Sequence, residues 1–384
     1  MKVSNRSHIQ PFHAMEVLRE ANNLELKGKN IWHLETGEPV TGAPEKVRVA
    51  AQKYLDSGRI GYTDALGIPD LRKRISLHYL EYYDLNIPED RIIVTTGSSG
   101  GLLLSLLSAF DVGDKVVVTE PGYPAYSNML KALGLLPIYC STEADSRYQP
   151  TVEQLESLNA KPDGMIIASP ANPTGSILKD KEIKTLVDWC NFNKVRIIAD
   201  EVYHRVTYGC RAETILKSTE EAIIINGFSK YYAMTGWRLG WIVIPEKFLK
   251  PIEHLAQNLF ISAPALSQAS AIYAFDSSQE LDENLKRYER NKDILQASLK
   301  RSGFGNSNTA QGAFYLYVDV SPFTHSSQDF CKRMLHEAGV AATPGIDFDR
   351  VRGQNYVRFS YAGHTNDIEC AAESIEKWIK VRFK

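Results

Sequence analysis

The chain has 384 residues, of which 43% are hydrophobic and 23% charged, and its formal net charge is −2. This composition is that of a globular chain of roughly two domains, and it excludes an intrinsically disordered protein. The near-neutral charge provides no basic field, which argues against nucleic acid or an anionic membrane as a partner.

The cysteines and the apolar segments indicate the compartment. The first fifteen residues lack the apolar core of a signal peptide, and the longest near-apolar stretch, 101–110, is about half the length of a bilayer span. We therefore expect a cytoplasmic protein that does not associate with membranes. No pair of cysteines has the spacing of zinc ligands, so we expect no metal and free thiols at Cys140, Cys190, Cys210, Cys331 and Cys370.

Short apolar runs rich in β-branched residues recur through the first two thirds of the chain. Continuous runs of this kind predict strands that are covered on both faces. Helical patterns such as 102–109 and 182–192 separate most of them, which predicts an α/β fold with a mainly parallel sheet. Ligands of such sheets lie beyond the carboxyl ends of the strands. The six runs are 92–95, 116–119, 165–168, 195–199, 223–225 and 241–244.

The two ends of the chain have a different pattern. Residues 281–299 predict a long charged amphipathic helix, and Gly303 and Gly305 end it. A strand over 313–320 and further helices follow, which indicates a smaller α+β domain. The N-terminal helix is expected to pack with that domain. The further helices are predicted at 327–338 and 366–378, and the N-terminal one at about 11–27.

The loops after the first two runs contain residues suited to a phosphate and to an aromatic ring. Ser98 and Ser99 lie in a glycine-rich turn that opens a helix, where exposed N–H groups bind phosphate. Tyr123 lies between two prolines, and its ring is suited to stacking on a planar heterocycle. Each has a plainer interpretation, because many such turns bind nothing and a rigid turn also accommodates a buried tyrosine.

The next two loops offer an amide and a carboxylate. Asn172, between two prolines, is suited to donating to a phenolate or carboxylate oxygen, or is simply a turn residue. Asp200 follows a buried strand, where a carboxylate needs a partner such as a pyridinium nitrogen. The alternative for Asp200 is to cap a following helix. Tyr203 is placed to donate a hydrogen bond to the phenolate oxygen of the same ring.

The segment between the last two runs, NGFSKYYAMTGWRL, is the most informative one. It contains Ser229 and Lys230, with Arg238 eight residues after the lysine. An ammonium near a core costs free energy, and covalent attachment of an aldehyde cofactor is one reason to keep it there. Arg238 would then hold the cofactor's phosphate through two parallel hydrogen bonds. On this segment alone, a solvated turn beside an unrelated surface arginine is the alternative.

Asn172, Asp200, Lys230 and Arg238 occur in this order, all near the carboxyl ends of predicted strands. With this constellation the chain resembles the pyridoxal-5′-phosphate aminotransferases of fold type I, the class I and II family. The motifs that carry the resemblance are SPANPTG, ADEVY, FSKYYAMTGWRLGW and YVRFSYA. It implies a mainly parallel seven-stranded sheet between helices and a smaller α+β domain formed by both termini. The expected divisions are an N-terminal arm over 1–43, a large cofactor-binding domain over 44–280 and a small domain over 281–384.

The resemblance also implies roles around the cofactor ring. Lys230 would bind pyridoxal phosphate as the internal aldimine and, once an amino substrate has displaced it, would shuttle a proton between the substrate Cα and the cofactor. Asp200 would pair with the pyridinium nitrogen, Tyr203 and Asn172 would hold the phenolate oxygen, and Tyr123 would stack on the ring.

The remaining implied contacts involve the phosphate and the substrate carboxylate. Tyr62 would reach the phosphate of the neighbouring subunit, which implies a homodimer with shared active sites. Arg358 and the backbone N–H of Gly37 would bind the substrate's α-carboxylate, and the small domain would close over it. Within one subunit, the phosphate would be held by Ser98, Ser99, Ser229 and Arg238.

The implied reaction moves an amino group from an L-amino acid to a 2-oxo acid. A carbon–sulfur β-lyase or an aminocyclopropane-carboxylate synthase-like enzyme would use the same residues. A non-catalytic ligand-sensing domain is a third hypothesis, which we disfavour because the family pattern begins within roughly the first dozen residues. No motif identifies an arginine for a distal carboxylate, and none of four candidates is favoured: Arg6, Arg19, Arg211 and Arg350.

Overall fold

The computed structural model describes residues 1–383. Within this range no helix is both long and apolar enough to cross a bilayer. The strands are β1 (Trp32–His33), β2 (Ile92–Thr96), β3 (Lys115–Glu120), β4 (Leu136–Ser141), β5 (Gly164–Ala168), β6 (Arg196–Asp200), β7 (Ile223–Gly227), β8 (Leu239–Val243), β9 (Tyr315–Asp319), β10 (Val340–Ala341), β11 (Thr343–Pro344) and β12 (Tyr356–Ser360). The α-helices are α1 (His13–Glu25), α2 (Glu45–Asp56), α3 (Pro69–Tyr83), α4 (Gly97–Ala109), α5 (Pro124–Leu133), α6 (Val152–Glu156), α7 (Asp180–Asn193), α8 (Leu249–Leu259), α9 (Ala265–Ala271), α10 (Ser278–Ser302), α11 (Ser327–Arg333) and α12 (Thr365–Arg382).

A seven-stranded sheet with the order β2-β8-β7-β6-β5-β3-β4 forms the centre of the molecule. Strand β8 is antiparallel to both of its neighbours, and every other adjacent pair is parallel. Six strands therefore point the same way, and the residue before β8 lies at the edge where those strands end. The loops that follow the six parallel strands meet at this edge, which agrees with the sequence-based prediction.

Alternating residues of the strands supply two separate cores, one on each face of the sheet. Val117, Ile167 and Trp241 belong to one core. Val116, Ile166 and Ile242 belong to the other, which helices α4, α5 and α8 cover. Both cores are buried, so the middle of each central strand is apolar on both faces. This explains why the strands appear in the sequence as continuous runs and not as alternating patterns.

All six predicted strands are present, and the seventh, β4, is not among the apolar runs of the sequence. β4 lies at the edge of the sheet and is mostly half-buried, with Leu136 and Ser141 exposed. Its second residue is Pro137, which an edge strand tolerates because only one of its sides needs hydrogen bonds. β4 therefore lacks a continuous apolar run because it lies at the half-exposed edge of the sheet.

Both ends of the chain contribute to a second, smaller layer. β9, β12 and β11 form an antiparallel sheet, and β1 pairs in parallel with β10. The long helix α10 packs against α12. The predicted helices at 11–27, 281–299, 327–338 and 366–378 correspond to α1, α10, α11 with a following turn of π-helix, and α12. The small sheet carries Arg358 on β12 toward the edge of the large sheet.

Candidate active site

A cavity of about 310 Å³ lies at the carboxyl edge of the large sheet, between this sheet and the smaller layer. Of the twelve residues that the sequence places in the site, only Tyr62 does not line it. The lining residues from that set are Gly37, Ser98, Ser99, Tyr123, Asn172, Asp200, Tyr203, Ser229, Lys230, Arg238 and Arg358. The loops of five strands and the smaller layer thus meet at one cavity.

One end of the cavity is built to hold an anion. Helix α4 begins at Gly97, so the free N–H groups of its first turn point into the cavity beside the hydroxyls of Ser98 and Ser99. The guanidinium of Arg238 lies so close to Gly97 that a Cβ there would be 2.6 Å from Nη2. Gly97 also has a φ of +69°, so glycine is required on both grounds. Arg238 is held by a hydrogen bond from Nη1 to the carbonyl of Thr235 at 3.0 Å.

Asp200, at the end of β6, lies at the middle of the cavity. The hydroxyl of Tyr126 donates to its Oδ2 at 2.7 Å, and the backbone N–H of Val202 donates to its Oδ1 at 3.1 Å. Burial raises the pKa of Asp200, and these two hydrogen bonds counteract part of that rise. A buried carboxyl group with two fixed donors is suited to receive a cationic ring nitrogen, which would compensate its negative charge.

Tyr203 and Gly37 are held together by Tyr315, a residue of β9. The hydroxyls of Tyr203 and Tyr315 are 2.7 Å apart. Gly37 lies against the same hydroxyl so closely that a Cβ would be 1.6 Å from Oη of Tyr315. Only glycine therefore fits at position 37, and its backbone remains accessible from the cavity.

Lys230 follows β7 and projects into the cavity. Its Nζ donates to the backbone carbonyl of Gly37 at 2.7 Å. Burial, followed by the nearby Arg358 cation, lowers the pKa of Lys230 to about 8. A lysine with such a pKa is about half neutral near pH 8, and the neutral amine is the form that attacks an aldehyde or accepts a proton.

Arg358 lies on β12 and is almost completely buried, with 2% of its surface exposed. Its Nη1 donates to Oδ1 of Asn172 at 2.9 Å, and Nη2 donates to Oγ1 of Thr343 at 3.2 Å and to the carbonyl of Glu35. Its guanidinium also lies 4.3 Å from the ring centre of Tyr315. Among the described residues, Nε has no hydrogen-bond partner. This fixed guanidinium has donors left for a carboxylate.

The rest of the cavity wall is largely apolar. Phe12 precedes α1, Met15 and Leu18 lie in the first turns of that helix, and Met129 comes from α5. In the part of the chain that the structure describes, three cationic side chains line the cavity: Lys230, Arg238 and Arg358. The four arginines considered for a distal carboxylate are not among them. One of these, Arg350, forms an ion pair with Glu120 at 2.6 Å instead.

Sequence reasoning missed Tyr126, Tyr315 and the apolar face of α1. Tyr126 lies on α5 only three residues after Tyr123, which precedes that helix, and this short spacing indicates that the two rings can lie together, as their 5.3 Å separation shows. That signal is present in the sequence. The positions of Tyr315 and α1 depend on how the smaller layer docks, for which no local pattern exists.

No metal-holding cluster of His, Cys, Asp or Glu occurs in residues 1–383.

Comparison with known proteins identifies the family. The model of the family "Aminotransferase class I and II" matches residues 29–375. A valine–pyruvate aminotransferase of Mycobacterium tuberculosis is 41% identical over 382 residues, which is 98% of each chain. A crystal structure of an aminotransferase from Mycobacterium tuberculosis superposes with a TM-score of 0.97 at 40% identity, over 100% of both chains. Aspartate aminotransferase from Thermus thermophilus with maleate superposes with a TM-score of 0.92 at 26% identity, over 98% of this chain and 99% of that one.

These matches favour neither the lyase nor the ligand-sensing hypothesis, because the relatives are named as aminotransferases. They agree with the site, in which an amine of lowered pKa, a buried carboxyl group, an anion cradle and a buried arginine surround one cavity. The chain belongs to the class I and II aminotransferases, and it is a pyridoxal-phosphate-dependent aminotransferase.

Proposed function

We propose that the enzyme transfers the amino group of an L-amino acid with an apolar side chain to a 2-oxo acid. The observation that carries this proposal is the cavity itself, which combines the groups for amino transfer with an apolar wall. Its residues also fit the cofactor of the family. Pyridoxal phosphate, when bound, supplies an aldehyde and an electron-accepting ring.

The anion end would hold the cofactor's phosphate. Ser98, Ser99 and Ser229 line the cavity there with hydroxyl groups, and the first turn of α4 supplies N–H groups. Arg238 adds a positive charge. Its guanidinium lies against Gly97 and therefore next to the N-terminus of α4. Helix N-terminus, hydroxyls and guanidinium are the donors that a phosphate prefers.

The middle of the cavity would orient the ring. Asp200 would hold a proton on the pyridine nitrogen, and Tyr126 would keep the carboxylate in place through its 2.7 Å hydrogen bond. Tyr203 and Asn172 would donate to the phenolate oxygen, and Tyr123 would stack on the ring. The ring of Tyr123 is itself fixed by edge-to-face contacts, with Phe12 at 5.9 Å and Tyr126 at 5.3 Å between ring centres.

Lys230 would first hold the cofactor and then act as the base. The lowered pKa would leave about half of its amine neutral near pH 8, so Nζ would be able to accept the proton from the substrate Cα and to donate it back on the cofactor side. The carbonyl of Gly37, 2.7 Å from Nζ, orients the amine toward the cavity. Arg358 and the N–H of Gly37 would bind the α-carboxylate, which places the Cα–H bond beside Lys230.

The apolar wall determines which side chains fit beyond the α-carboxylate. A second carboxylate placed against Phe12, Met15 and Leu18 would lose part of its hydration without gaining a cationic partner, which is unfavourable. The relative from Mycobacterium tuberculosis that is 41% identical is named valine–pyruvate aminotransferase, and this name agrees with an amino donor that has an apolar side chain. Aspartate aminotransferases are also among the relatives, at 30–33% identity. Aspartate is therefore the alternative amino donor, against which the apolar amino acids must be compared.

We expect valine, leucine and alanine to be used with a kcat/KM at least about 100-fold higher than that of aspartate. The measurement is a single-turnover half-reaction, in which each amino acid is mixed with the holoenzyme without any oxo acid and the cofactor's absorption is followed. A higher kcat/KM for aspartate would contradict the proposal. Arg358→Lys is the matched control: it should lower kcat/KM for every donor by a similar factor, because all donors share the α-carboxylate.

We also propose that the enzyme is a homodimer in which Tyr62 completes the neighbour's phosphate site. Tyr62 is 84% exposed, although its loop is ordered by the hydrogen bond from Gln268 to Thr63 at 2.9 Å. Large apolar side chains are exposed nearby, Ile60 at 54% and Ile261 at 50%. A tyrosine and apolar side chains presented in this way are typical of an interface.

The substitution Tyr62→Phe should weaken binding of the cofactor by roughly 10- to 100-fold, because one hydrogen bond to a charged group is lost. Mixing it with inactive Lys230→Ala should restore activity, since one site of the mixed dimer then has both native residues. Dialysis and subunit exchange followed by an activity assay measure both effects. Tyr273→Phe, which changes another exposed tyrosine, should leave cofactor affinity unchanged. Full activity of Tyr62→Phe under dilution, or no restoration after proven exchange, would contradict the shared site.

The free thiols of the described cysteines support a reducing compartment, and we propose that the protein is located in the cytoplasm.

We also propose that the chain divides into an arm over 1–43, a large domain over 44–280 and a small domain over 281–384, and that the small domain closes over the substrate. Its support is that the cavity draws residues from both layers.

A further inference from the structure

The N-terminus of helix α1 is capped by a residue from the far end of the chain. The backbone N–H groups of His13 and Ala14 donate to the two carboxylate oxygens of Asp347, at 3.0 and 3.1 Å. Phe12, the residue that precedes the helix, makes no side-chain cap of its own. The only side chain that satisfies these first-turn donors among the described residues therefore belongs to another element.

Asp347 is part of the segment that holds Arg358. It ends the short 3₁₀ turn Gly345–Asp347, directly after β11, in which Thr343 is paired with Arg358. The next residue, Phe348, has its ring centre 4.7 Å from the guanidinium of Arg358. Its carbonyl accepts a hydrogen bond from the N–H of Gly122, in the loop of Tyr123. Asp347 thus links α1 to the carboxylate-binding and ring-stacking elements.

The first turns of α1 supply the apolar wall of the cavity. Phe12 contacts the edge of Tyr123, and Met15 and Leu18 continue the same face of the helix. A helix end that loses its cap frays in the first turn, which here contains or adjoins all three side chains. The shape of the wall therefore depends on the hydrogen bonds to Asp347.

We propose that Asp347 is a positioning residue that sets the side-chain specificity of the enzyme by fixing the start of α1 over the substrate. It acts through the helix and does not touch the reacting atoms. The two acceptor oxygens matter, because an asparagine would offer one oxygen and place an N–H group against the second backbone N–H. The inference rests on the proposed preference for apolar side chains.

The test compares wild-type holoenzyme with Asp347→Asn, using 4-methylpentanoate and acetate as non-reacting carboxylates. Wild type should bind 4-methylpentanoate at least about tenfold more tightly than acetate, since only the former has methylenes to bury. In Asp347→Asn this ratio should fall toward one, while the affinity for acetate stays within about twofold. The amide hydrogens of residues 13–16 should exchange on the order of tenfold faster in the variant.

Two further variants separate positioning from general destabilisation. Asp347→Glu keeps both acceptors and should retain most of the discrimination. Ser326→Ala removes the local N-cap of α11, where the hydroxyl accepts from the N–H of Asp329 at 3.3 Å, and it should not change the ratio. Unchanged discrimination in Asp347→Asn would overturn the role of Asp347. Absence of discrimination in wild type would overturn the apolar preference itself, and the inference with it.

Discussion

Replacing Lys230 with alanine is expected to lower amino transfer by at least about 10⁴-fold, the upper end of what a positioned acid–base group contributes. The loss should be large because one amine has two tasks in the proposed mechanism, attachment of the cofactor and transfer of the proton from the substrate Cα. The fold should be retained, since Lys230 is half-buried and makes one hydrogen bond, to the carbonyl of Gly37. Steady-state kinetics and circular dichroism of the purified variant measure the two outcomes.

Lys247→Ala is the control for the loss of a lysine. Lys247 is exposed and pairs with Glu221, so its removal should leave kcat within about twofold of the wild-type value. In Lys230→Ala a small primary amine added to the solution should restore part of the rate, because it supplies the missing base. Transamination by Lys230→Ala at the wild-type rate would refute the assignment of Lys230.

The lowered pKa of Lys230 adds a pH dependence to the same prediction. Only the neutral amine attacks the aldehyde of the cofactor, so loading of the apoenzyme should accelerate as pH rises and level off above about 8. A lysine with an ordinary pKa would make the rate rise until about pH 10.4. Stopped-flow absorption of apoenzyme mixed with pyridoxal phosphate at a series of pH values distinguishes the two profiles.

Much of the site was predictable because the topology of a parallel sheet brings distant residues together. Asp200 and Lys230 are 30 positions apart in the sequence, yet Asp200 ends β6 and Lys230 follows β7 at the same edge of the sheet. Strand ends can be found from apolar runs alone, so the positions of such residues follow without any knowledge of contacts. Their chemical roles required the family resemblance in addition.

The remaining part of the site depends on close approaches that leave no periodic trace. The contact of Arg238 with Gly97 and that of Tyr315 with Gly37 each join segments far apart in sequence. The cap that Asp347 provides for α1 spans more than 300 residues. Such contacts depend on the docking of the two layers and on side-chain rotamers, neither of which is encoded in a local pattern.

The second large effect is expected at the centre of the cavity. Asp200→Asn should lower kcat on the order of 10³-fold, in the range that loss of a preorganised electrostatic partner produces. In the proposed mechanism a neutral amide would not balance a positive charge on the ring nitrogen, which would weaken the ring as an electron acceptor. Binding should be weakened less than catalysis, because the phosphate end with Arg238 is unchanged. Kinetics of the reconstituted variant and a cofactor titration separate kcat from affinity.

Glu201→Gln is a control at the neighbouring residue, and we expect it to leave kcat nearly unchanged. Glu201 is also a buried carboxyl group, and its Oε1 accepts from the hydroxyl of Thr214 at 2.9 Å and the N–H of Ile215 at 3.0 Å. Burial raises the pKa of Glu201 to about 8, so at pH 7 it is mostly protonated and neutral. A glutamine preserves both its charge and its acceptor, and kcat should stay within about threefold of wild type.

The pair of variants tests charge and not merely the presence of a side chain. Both substitutions replace a carboxyl group with an amide of nearly the same shape, and they lie one residue apart. If the rate depends on a negative charge at the ring nitrogen, only Asp200→Asn should be severely impaired. Equal effects of the two substitutions would mean that Asp200 maintains the end of β6 and has no electrostatic role in the reaction.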